Sequence, residues 1–154
     1  MNVTVVGAGV AGLTVATELS RRGCKVEVID RAHGFGRDTC SWYAGGMLAP
    51  WCEGDTAEEP VVRLGQEAIS WWRKHVPDVI ENGSLVVAPA RDTGEIARFA
   101  RRTQARETID AAALAALEPD LEGRFRQALF FAGEAHPDLV SASIKAAIAL
   151  RGSR

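Results

Sequence analysis

A short glycine-rich sequence near the N-terminus constrains the fold of this chain more than any other stretch. The β-branched run from Val3 to Val6 leads directly into Gly7-Ala8-Gly9-Val10-Ala11-Gly12, and a helical pattern follows as far as Gly23. A second β-branched run, from Val26 to Ile29, then ends on Asp30. This order predicts a strand, a glycine turn, a helix and a second, parallel strand, which together form a β-α-β unit.

Each glycine of the turn meets a steric requirement of a dinucleotide site. Gly7 lets the chain turn tightly out of the strand, Gly9 lets the backbone approach a pyrophosphate, and Gly12 lets the helix pack close to the sheet. Unpaired N–H groups at the positive end of the helix dipole then face the phosphates. Asp30 is placed to accept hydrogen bonds from ribose hydroxyls, which favours FAD or NAD over NADP. The alternative is a glycine turn in an unrelated α/β domain, but under that alternative the position of Asp30 at the end of the second strand would be a coincidence.

Composition and charge limit the class of function. The chain has 154 residues, of which 47% are hydrophobic and 25% are charged, so the packed core of one ordinary domain is expected. A net charge of −2 argues against a protein that binds nucleic acid by bulk charge. No apolar run is long enough for a transmembrane helix, and the N-terminus lacks the basic segment of a signal peptide. We therefore expect a cytoplasmic protein that binds neither nucleic acid nor a membrane.

The cysteines and histidines do not indicate a metal centre. The chain has 3 cysteines, which is an odd number, and they form no C-x-x-C pair, so disulfides are not expected. The 3 histidines are scattered along the chain without the spacing of metal ligands. We predict no metal site.

Helical and strand patterns alternate along the rest of the chain. Residues 25–29 are interpreted as a nearly continuous apolar stretch, and on that interpretation they predict a parallel strand buried on both faces. Asp110 is a capping residue for a short helix. Helices are predicted over residues 10–22, from about 58 to 76, and over 92–104, 110–117 and 137–150, and further strands over 84–88 and 125–131. A change of composition near residue 80 indicates that a second module begins there.

A second informative stretch is the small-residue loop Ala44-Gly45-Gly46-Met47-Leu48. Small residues allow a flat ring to lie against the backbone, where main-chain N–H groups can hydrogen-bond the polar edge of an isoalloxazine. Met47 and Leu48 can add apolar contact, while Ser41 and Thr39 can reach phosphate or ribitol oxygens. An NAD-dependent dehydrogenase would share residues 1–30 but has no need of this loop, so the loop favours FAD. Tight packing without a ligand is the other interpretation.

These two stretches carry a resemblance to a known family. The chain resembles the FAD-dependent oxidases of the D-amino-acid oxidase group, and within it looks most like the glycine oxidases of thiamine thiazole synthesis. The match lies in Val5 to Leu13 and in Ala44 to Glu53, with shorter signatures at Leu117-Glu118-Pro119 and His136-Pro137-Asp138. It covers essentially the whole chain. The first motif is common to many flavoproteins, and the second is considerably more specific.

The resemblance implies FAD as the cofactor and assigns residues to its parts. The pyrophosphate would be held by the glycine turn, at Gly7, Gly9, Val10, Ala11 and Gly12. The adenosine ribose would lie at Asp30 and Arg31, and the phosphates or ribitol near Cys40 and Ser41. The flavin ring would lie along the small-residue loop, at Ala44, Gly45, Gly46, Met47 and Leu48. Glu53 would fall on the substrate side, although it equally suits a surface acid in an acidic stretch. No residue is assigned a catalytic role.

The implied fold class is α/β, with a Rossmann-like FAD-binding β-α-β domain followed by the start of an α+β substrate domain. Residues 1–80 would form the FAD-binding segment and residues 81–154 the beginning of the substrate domain. The implied reaction is oxidation of glycine or a related small amino acid by dioxygen. It gives an imine, then glyoxylate, together with hydrogen peroxide.

The chain is considerably shorter than the oxidases that it resembles. Their later segments supply closing strands of the FAD domain and the arginine that binds the substrate carboxylate. Three explanations remain open: one subunit of a split oxidase, a fragment, or an FAD-binding module without independent catalysis. An unpartnered edge strand favours a complementary C-terminal chain or a homo-oligomer as the partner.

Overall fold

The computed structural model of the protein describes residues 1–32, 40–76 and 78–137. The candidate Thr39 and all but the first residue of the helix predicted over residues 137–150 lie outside the described residues; that first residue, Pro137, is in a strand. Short 3-10 turns occur at Cys40–Tyr43, Ala90–Asp92 and Pro119–Leu121. In chain order the strands and helices are β1 (Asn2–Val6), α1 (Val10–Arg21), β2 (Lys25–Ile29), α2 (Pro50–Glu53), α3 (Glu59–His75), β3 (Val79–Ile80), β4 (Ser84–Val86), α4 (Thr93–Arg102), β5 (Glu107–Asp110), α5 (Ala111–Leu117), β6 (Gln127–Phe131) and β7 (His136–Pro137).

The described chain forms two compact units. The first unit is built from Met1–Met47, Trp72–Val79 and the last described residue, Pro137, and the second unit from Leu48–Trp71 and Ile80–His136. β3 and β7 pair with each other in a separate two-stranded sheet. Residues 48–71 therefore cluster with the later part of the chain and not with the residues before them. The assignment of 1–80 to FAD and 81–154 to substrate stays a prediction.

In the first unit, β1 and β2 pair in parallel, as the β-α-β pattern predicts. The register sets Val3 opposite Val26 and Val5 opposite Val28, so these four valines share one face of the pair. That face lies towards α1, because a Cβ added at Gly12 of α1 would be 3.5 Å from Cγ1 of Val5. The position of the helix on this face confirms the β-α-β prediction.

The helix α1 buries a narrow apolar stripe against this pair of strands. Leu13 and Ala16 are buried, with 3% and 0% of their surface exposed. The valines of the strands are half-buried, whereas Lys25, Glu27 and Ile29 of β2 are exposed. The expectation that β2 is buried on both faces is therefore wrong for the described chain, because α1 covers a single face of the two strands.

The second unit is organised around the central strand of an antiparallel sheet with the order β4-β6-β5. One face of β6 carries Leu129 and Phe131, which pack with Ile96 of α4. Phe99, one turn further along α4, meets Phe131 edge-on with ring centroids 6.2 Å apart. The predicted helix and strand are confirmed here with slightly shorter bounds than the sequence indicates.

The opposite face of β6 has its own apolar cluster. Ala128 of β6 packs with Ile109 of β5 and Leu114 of α5. The Asp110 carboxylate accepts a hydrogen bond of 2.9 Å from the N–H of Ala113, which confirms its predicted role as a cap of α5. The strand β5 itself is absent from the sequence prediction, since in its four residues only Ile109 is buried and no alternating pattern develops.

Two observations on the described residues bear on membranes and metals. None of their helices combines the length and the apolar character that a bilayer crossing requires. Across the same ranges, no three His, Cys, Asp or Glu side chains gather in an arrangement that could hold a metal ion.

We expect Leu114→Ala to lower the free energy of unfolding of the second unit by about 2–5 kcal/mol, because it removes a buried side chain that is 1% exposed. Leu117→Ala on the same helix is the matched control. Its side chain is 49% exposed, and the expected change is about 0.5 kcal/mol or less. Urea unfolding followed by circular dichroism measures both, and equal losses in the two variants would contradict the packing described here.

Candidate cofactor-binding site

The glycine turn between β1 and α1 has the geometry that its sequence requires. Gly7 has a φ of 105°, in the left-handed region that favours glycine, and its N–H donates to the carbonyl of Ile29 at 2.7 Å. A Cβ at Gly12 would overlap the carbonyl oxygen of Gly7. The helix can approach the turn this closely only because residue 12 has no side chain.

Gly9 is different, because the protein itself does not require a glycine there. Its φ of −73° is ordinary for any residue, and an added Cβ would meet only the hydroxyl oxygen of Ser41, at a normal contact distance of 3.6 Å. Among the described residues no other heavy atom lies within 4 Å of that position, so a ligand could approach the backbone here. A pyrophosphate needs a cradle of this kind, and the glycine turn therefore fits one.

Ser41 closes this cradle from the 3-10 turn Cys40–Tyr43. Its hydroxyl oxygen accepts a hydrogen bond of 2.9 Å from the N–H of Val10, the first residue of α1. Gly9, at the cap position, has no side chain with which to do so. The hydrogen bonds of the described residues provide no acceptor for the next two N–H groups, those of Ala11 and Gly12. These two donors and the Ser41 hydroxyl proton suit an anion at the helix N-terminus.

Asp30 is tied to the same turn by both of its carboxylate oxygens. Oδ2 accepts from the N–H of Ala8 at 2.6 Å, and Oδ1 accepts from the N–H of Ala32 at 2.8 Å. The hydrogen bond from Ala32, and then that from Ala8, hold the pKa of Asp30 below its ordinary value of 3.8. The ionised carboxylate has further lone pairs, which remain for ribose hydroxyls. The contact with Ala8 was missed by sequence reasoning, because it is made by a backbone group that leaves no side-chain signal.

The remaining predicted residues are placed less tightly. Arg31 and Cys40 are exposed, and so are Ala44 and Gly45. Met47 is 67% exposed, so its side chain is accessible to a ligand.

Two further predicted residues, Leu48 and Glu53, belong to the second unit. Leu48 is half-buried and pairs through its backbone with Ala135, and Glu53 is an exposed acid at the end of α2. The structure therefore brings together the glycine turn, Asp30 and Ser41 in the first unit. The assignment of each residue to a part of FAD stays a prediction.

We expect Asp30→Asn to destabilise the first unit in a pH-dependent way. Because folding lowers the pKa of Asp30 from 3.8, the carboxylate stabilises the fold above that value and loses this effect as the pH falls through the folded-state pKa. At pH 7 the variant should be less stable than wild type, since an amide offers one acceptor oxygen to two N–H donors. The difference should shrink below a pH of 3.8.

Urea unfolding at a series of pH values measures this difference. Asp120→Asn is the control, because the described residues provide no donor to the Asp120 carboxylate, which is exposed. A difference for Asp30→Asn that is the same at pH 7 and at pH 3 would show that the carboxylate charge does not support the turn.

Comparison with known proteins places this geometry in a family. The sequence profile described as FAD dependent oxidoreductase matches residues 2–154. A Rhizobium etli protein named as a thiamine biosynthesis oxidoreductase, ThiO, is 54% identical over 155 residues, which cover 100% of this chain and 47% of that protein. A D-amino acid dehydrogenase of Xylella fastidiosa is 35% identical over 107 residues, which cover 66% of this chain and 21% of that protein.

Solved structures show the same fold at lower identity. Glycine oxidase from Bacillus cereus superposes with a TM-score of 0.77 at 21% identity, covering 97% of this chain and 44% of that one. The chain spans less than half the length of these relatives. The resemblance drawn from the two glycine-rich stretches is confirmed, as is the α/β class with a Rossmann-like unit, and FAD is the cofactor. The chain belongs to the family of FAD-dependent oxidoreductases.

Proposed function

We propose that this chain is the FAD-binding part of an amine oxidase that acts on glycine or a related small amino acid in thiamine thiazole synthesis. The observation that carries the proposal is the joined arrangement of the glycine turn, the Asp30 carboxylate and the Ser41 hydroxyl at the start of α1. The identity of 54% with ThiO across 100% of the chain supports the choice of reaction.

The residues of the first unit would hold the cofactor by charge and hydrogen bonding. Asp30, with Arg31 beside it, would bind the adenosine ribose. The N–H groups of Ala11 and Gly12, together with the Ser41 hydroxyl, would bind the pyrophosphate. Since Asp30 and Ser41 are already fixed by backbone N–H groups, little side-chain freedom would be lost on binding.

The loop that follows would face the flavin ring. Gly46 is buried and has a φ of 71°, so it turns the chain where a side chain would be strained. The exposed side chain of Met47 would pack on the ring, and Leu48 would follow it. When bound, FAD would supply the hydride acceptor and the route of electrons to dioxygen, so that glycine, dioxygen and water would give glyoxylate, ammonia and hydrogen peroxide.

Glu53 is the substrate-side candidate. It is an exposed acid at the end of α2, and its charge would attract the ammonium group of an amino acid. The same exposure suits a surface acid, so its role rests on the resemblance. The arginine expected to bind the substrate carboxylate has no counterpart assigned in this chain.

A second candidate function is an FAD-binding module that needs a complementary chain, or a second copy of itself, before it can catalyse. The exposure of apolar side chains at the ends of the two parallel strands favours this candidate. Val6 is 83% exposed and Ile29 is 49% exposed, although both lie in strands where such residues are usually covered. An NAD-dependent dehydrogenase is set aside, because the family uses FAD. We also propose a cytoplasmic location, from the sequence alone.

The visible spectrum and a peroxide assay test these proposals together. We expect the purified chain to bind FAD, to become yellow, and to release hydrogen peroxide from glycine or sarcosine once any complementary chain is supplied. Flavin retained by the chain alone without turnover, with turnover only after that partner is added, would favour the binding module that needs a complementary chain. A colourless protein that cannot be reconstituted with FAD would contradict both candidates.

We expect Gly12→Ala to weaken the binding of both ADP and FAD by about tenfold or more, because the added Cβ would overlap the Gly7 carbonyl and move α1 away from the turn. Gly94→Ala in α4 is the matched control, since an added Cβ there meets no heavy atom within 4 Å. Titration calorimetry measures both affinities. Unchanged binding in Gly12→Ala would show that the phosphates do not lie at this turn.

A further inference from the structure

We infer that Glu134 is a positioning residue, which fixes the backbone of residues 48–53 through a hydrogen bond to the N–H of Cys52. This segment includes Leu48 and Glu53, which the proposed function places at the flavin ring and on the substrate side, so the inference rests on that proposal. Glu134 itself would touch neither the cofactor nor the substrate.

The geometry begins with a buried carboxylate. Glu134 is 1% exposed, and its Oε1 accepts a hydrogen bond of 2.8 Å from the N–H of Cys52. Cys52 lies in the first turn of α2, where backbone N–H groups have no partner within the helix. Ala49, at the cap position, provides no side-chain hydrogen bond. Glu134 therefore serves as the cap of α2 from a distant part of the sequence.

The residue after Glu134 fixes the other end of the same segment. Ala135 and Leu48 exchange two backbone hydrogen bonds, of 2.7 Å from the Leu48 N–H and 3.1 Å from the Ala135 N–H. Beyond α2, the Asp55 carboxylate forms an ion pair of 2.7 Å with Arg102 of α4. Residues 48–55 are thus held at three points, of which the Glu134 contact is the central one.

Glu134 is itself held by the rigid part of the second unit. Its N–H donates to the carbonyl of Phe131, which is fully buried at the end of β6, and its own carbonyl accepts from Gly83. The carboxylate is therefore anchored to the central strand of the sheet. Because Glu134 is held by the sheet, its hydrogen bond keeps residues 48–53 in a fixed position relative to the sheet.

Burial of this acid is costly, which argues for a specific role. Oε2 of Glu134 is buried and has no hydrogen-bond partner among the described residues. Burial raises the pKa of the adjacent Cys52 thiol, and so do a hydrogen bond between this thiol and the Glu134 side chain and the nearby carboxyl groups of Glu134 and Glu53. The thiol therefore stays protonated and can donate to the Glu134 side chain.

Amide hydrogen exchange on the full chain, without FAD, tests the positioning directly. In Glu134→Ala, the amides of Cys52 and Leu48 should exchange about tenfold faster or more relative to the amides of β6. Glu134→Gln retains an acceptor oxygen, and we expect it to restore most of the protection. Leu114→Ala is the control for general destabilisation, because it lies in the cluster on the other face of β6 and should leave this ratio unchanged.

Binding of FAD and of ADP gives the second measurement. ADP lacks the flavin, so Glu134→Ala should weaken FAD binding while leaving ADP binding unchanged, and Glu134→Gln should bind both as wild type does. The inference is overturned if the exchange ratio in Glu134→Ala equals that of wild type. It is also overturned if FAD binding is unaffected despite faster exchange. A wild-type chain that does not bind FAD contradicts the proposed function instead, and the exchange ratio then decides the positioning role on its own.

Discussion

The close approach of α1 to the end of β1 is the constraint on which the first unit depends. It requires that residue 12 carry no side chain, since a Cβ there would overlap the Gly7 carbonyl oxygen. It also places the N-terminus of the helix beside the ends of two parallel strands, where ligands of α/β sheets commonly bind. Asp30 can then accept from the N–H of Ala8, and Ser41 from that of Val10. The glycine contact, the acid and the serine therefore lie together at one turn, and a larger side chain at residue 12 would disturb all of them.

In the second unit, too, polar groups lie where a strand ends, although the sheet is antiparallel. Its central strand β6 is buried on both faces, with Leu129 and Phe131 on one side and Ala128 on the other. Such a strand has no place for a polar side chain without a large desolvation cost. A buried acid, Glu134, comes just after the strand ends, where its side chain accepts a hydrogen bond from the backbone of α2. In both units, polar groups thus collect where a strand ends.

Local patterns made much of this structure predictable. The β-α-β unit carries its own signals, and the Asp110 cap of α5 is recognisable because the capping residue and the helix it caps are neighbours in sequence. The strand β5 was not predictable, because its four residues hold a single buried side chain and acquire their conformation from pairing with β6. The exposed face of β2, by contrast, is marked in the strand itself, because the charged residues Lys25 and Glu27 alternate with Val26 and Val28.

The sequence by itself determined the conformation of the glycine turn, since this depends on steric requirements at consecutive positions. The family and FAD followed from the resemblance of the two glycine-rich stretches to known oxidases. The sequence also indicated Ser41 as a cofactor contact, without showing that its hydroxyl oxygen accepts from the N–H of Val10. Only the tertiary structure decided the hydrogen bond between Ser41 and Val10. The same is true of the hydrogen bond between Glu134 and Cys52, which are 82 residues apart. Hydrogen bonds of this kind join a side chain to a backbone N–H group that every residue except proline possesses. No sequence pattern marks the donor, and the fold alone decides which donor lies within reach.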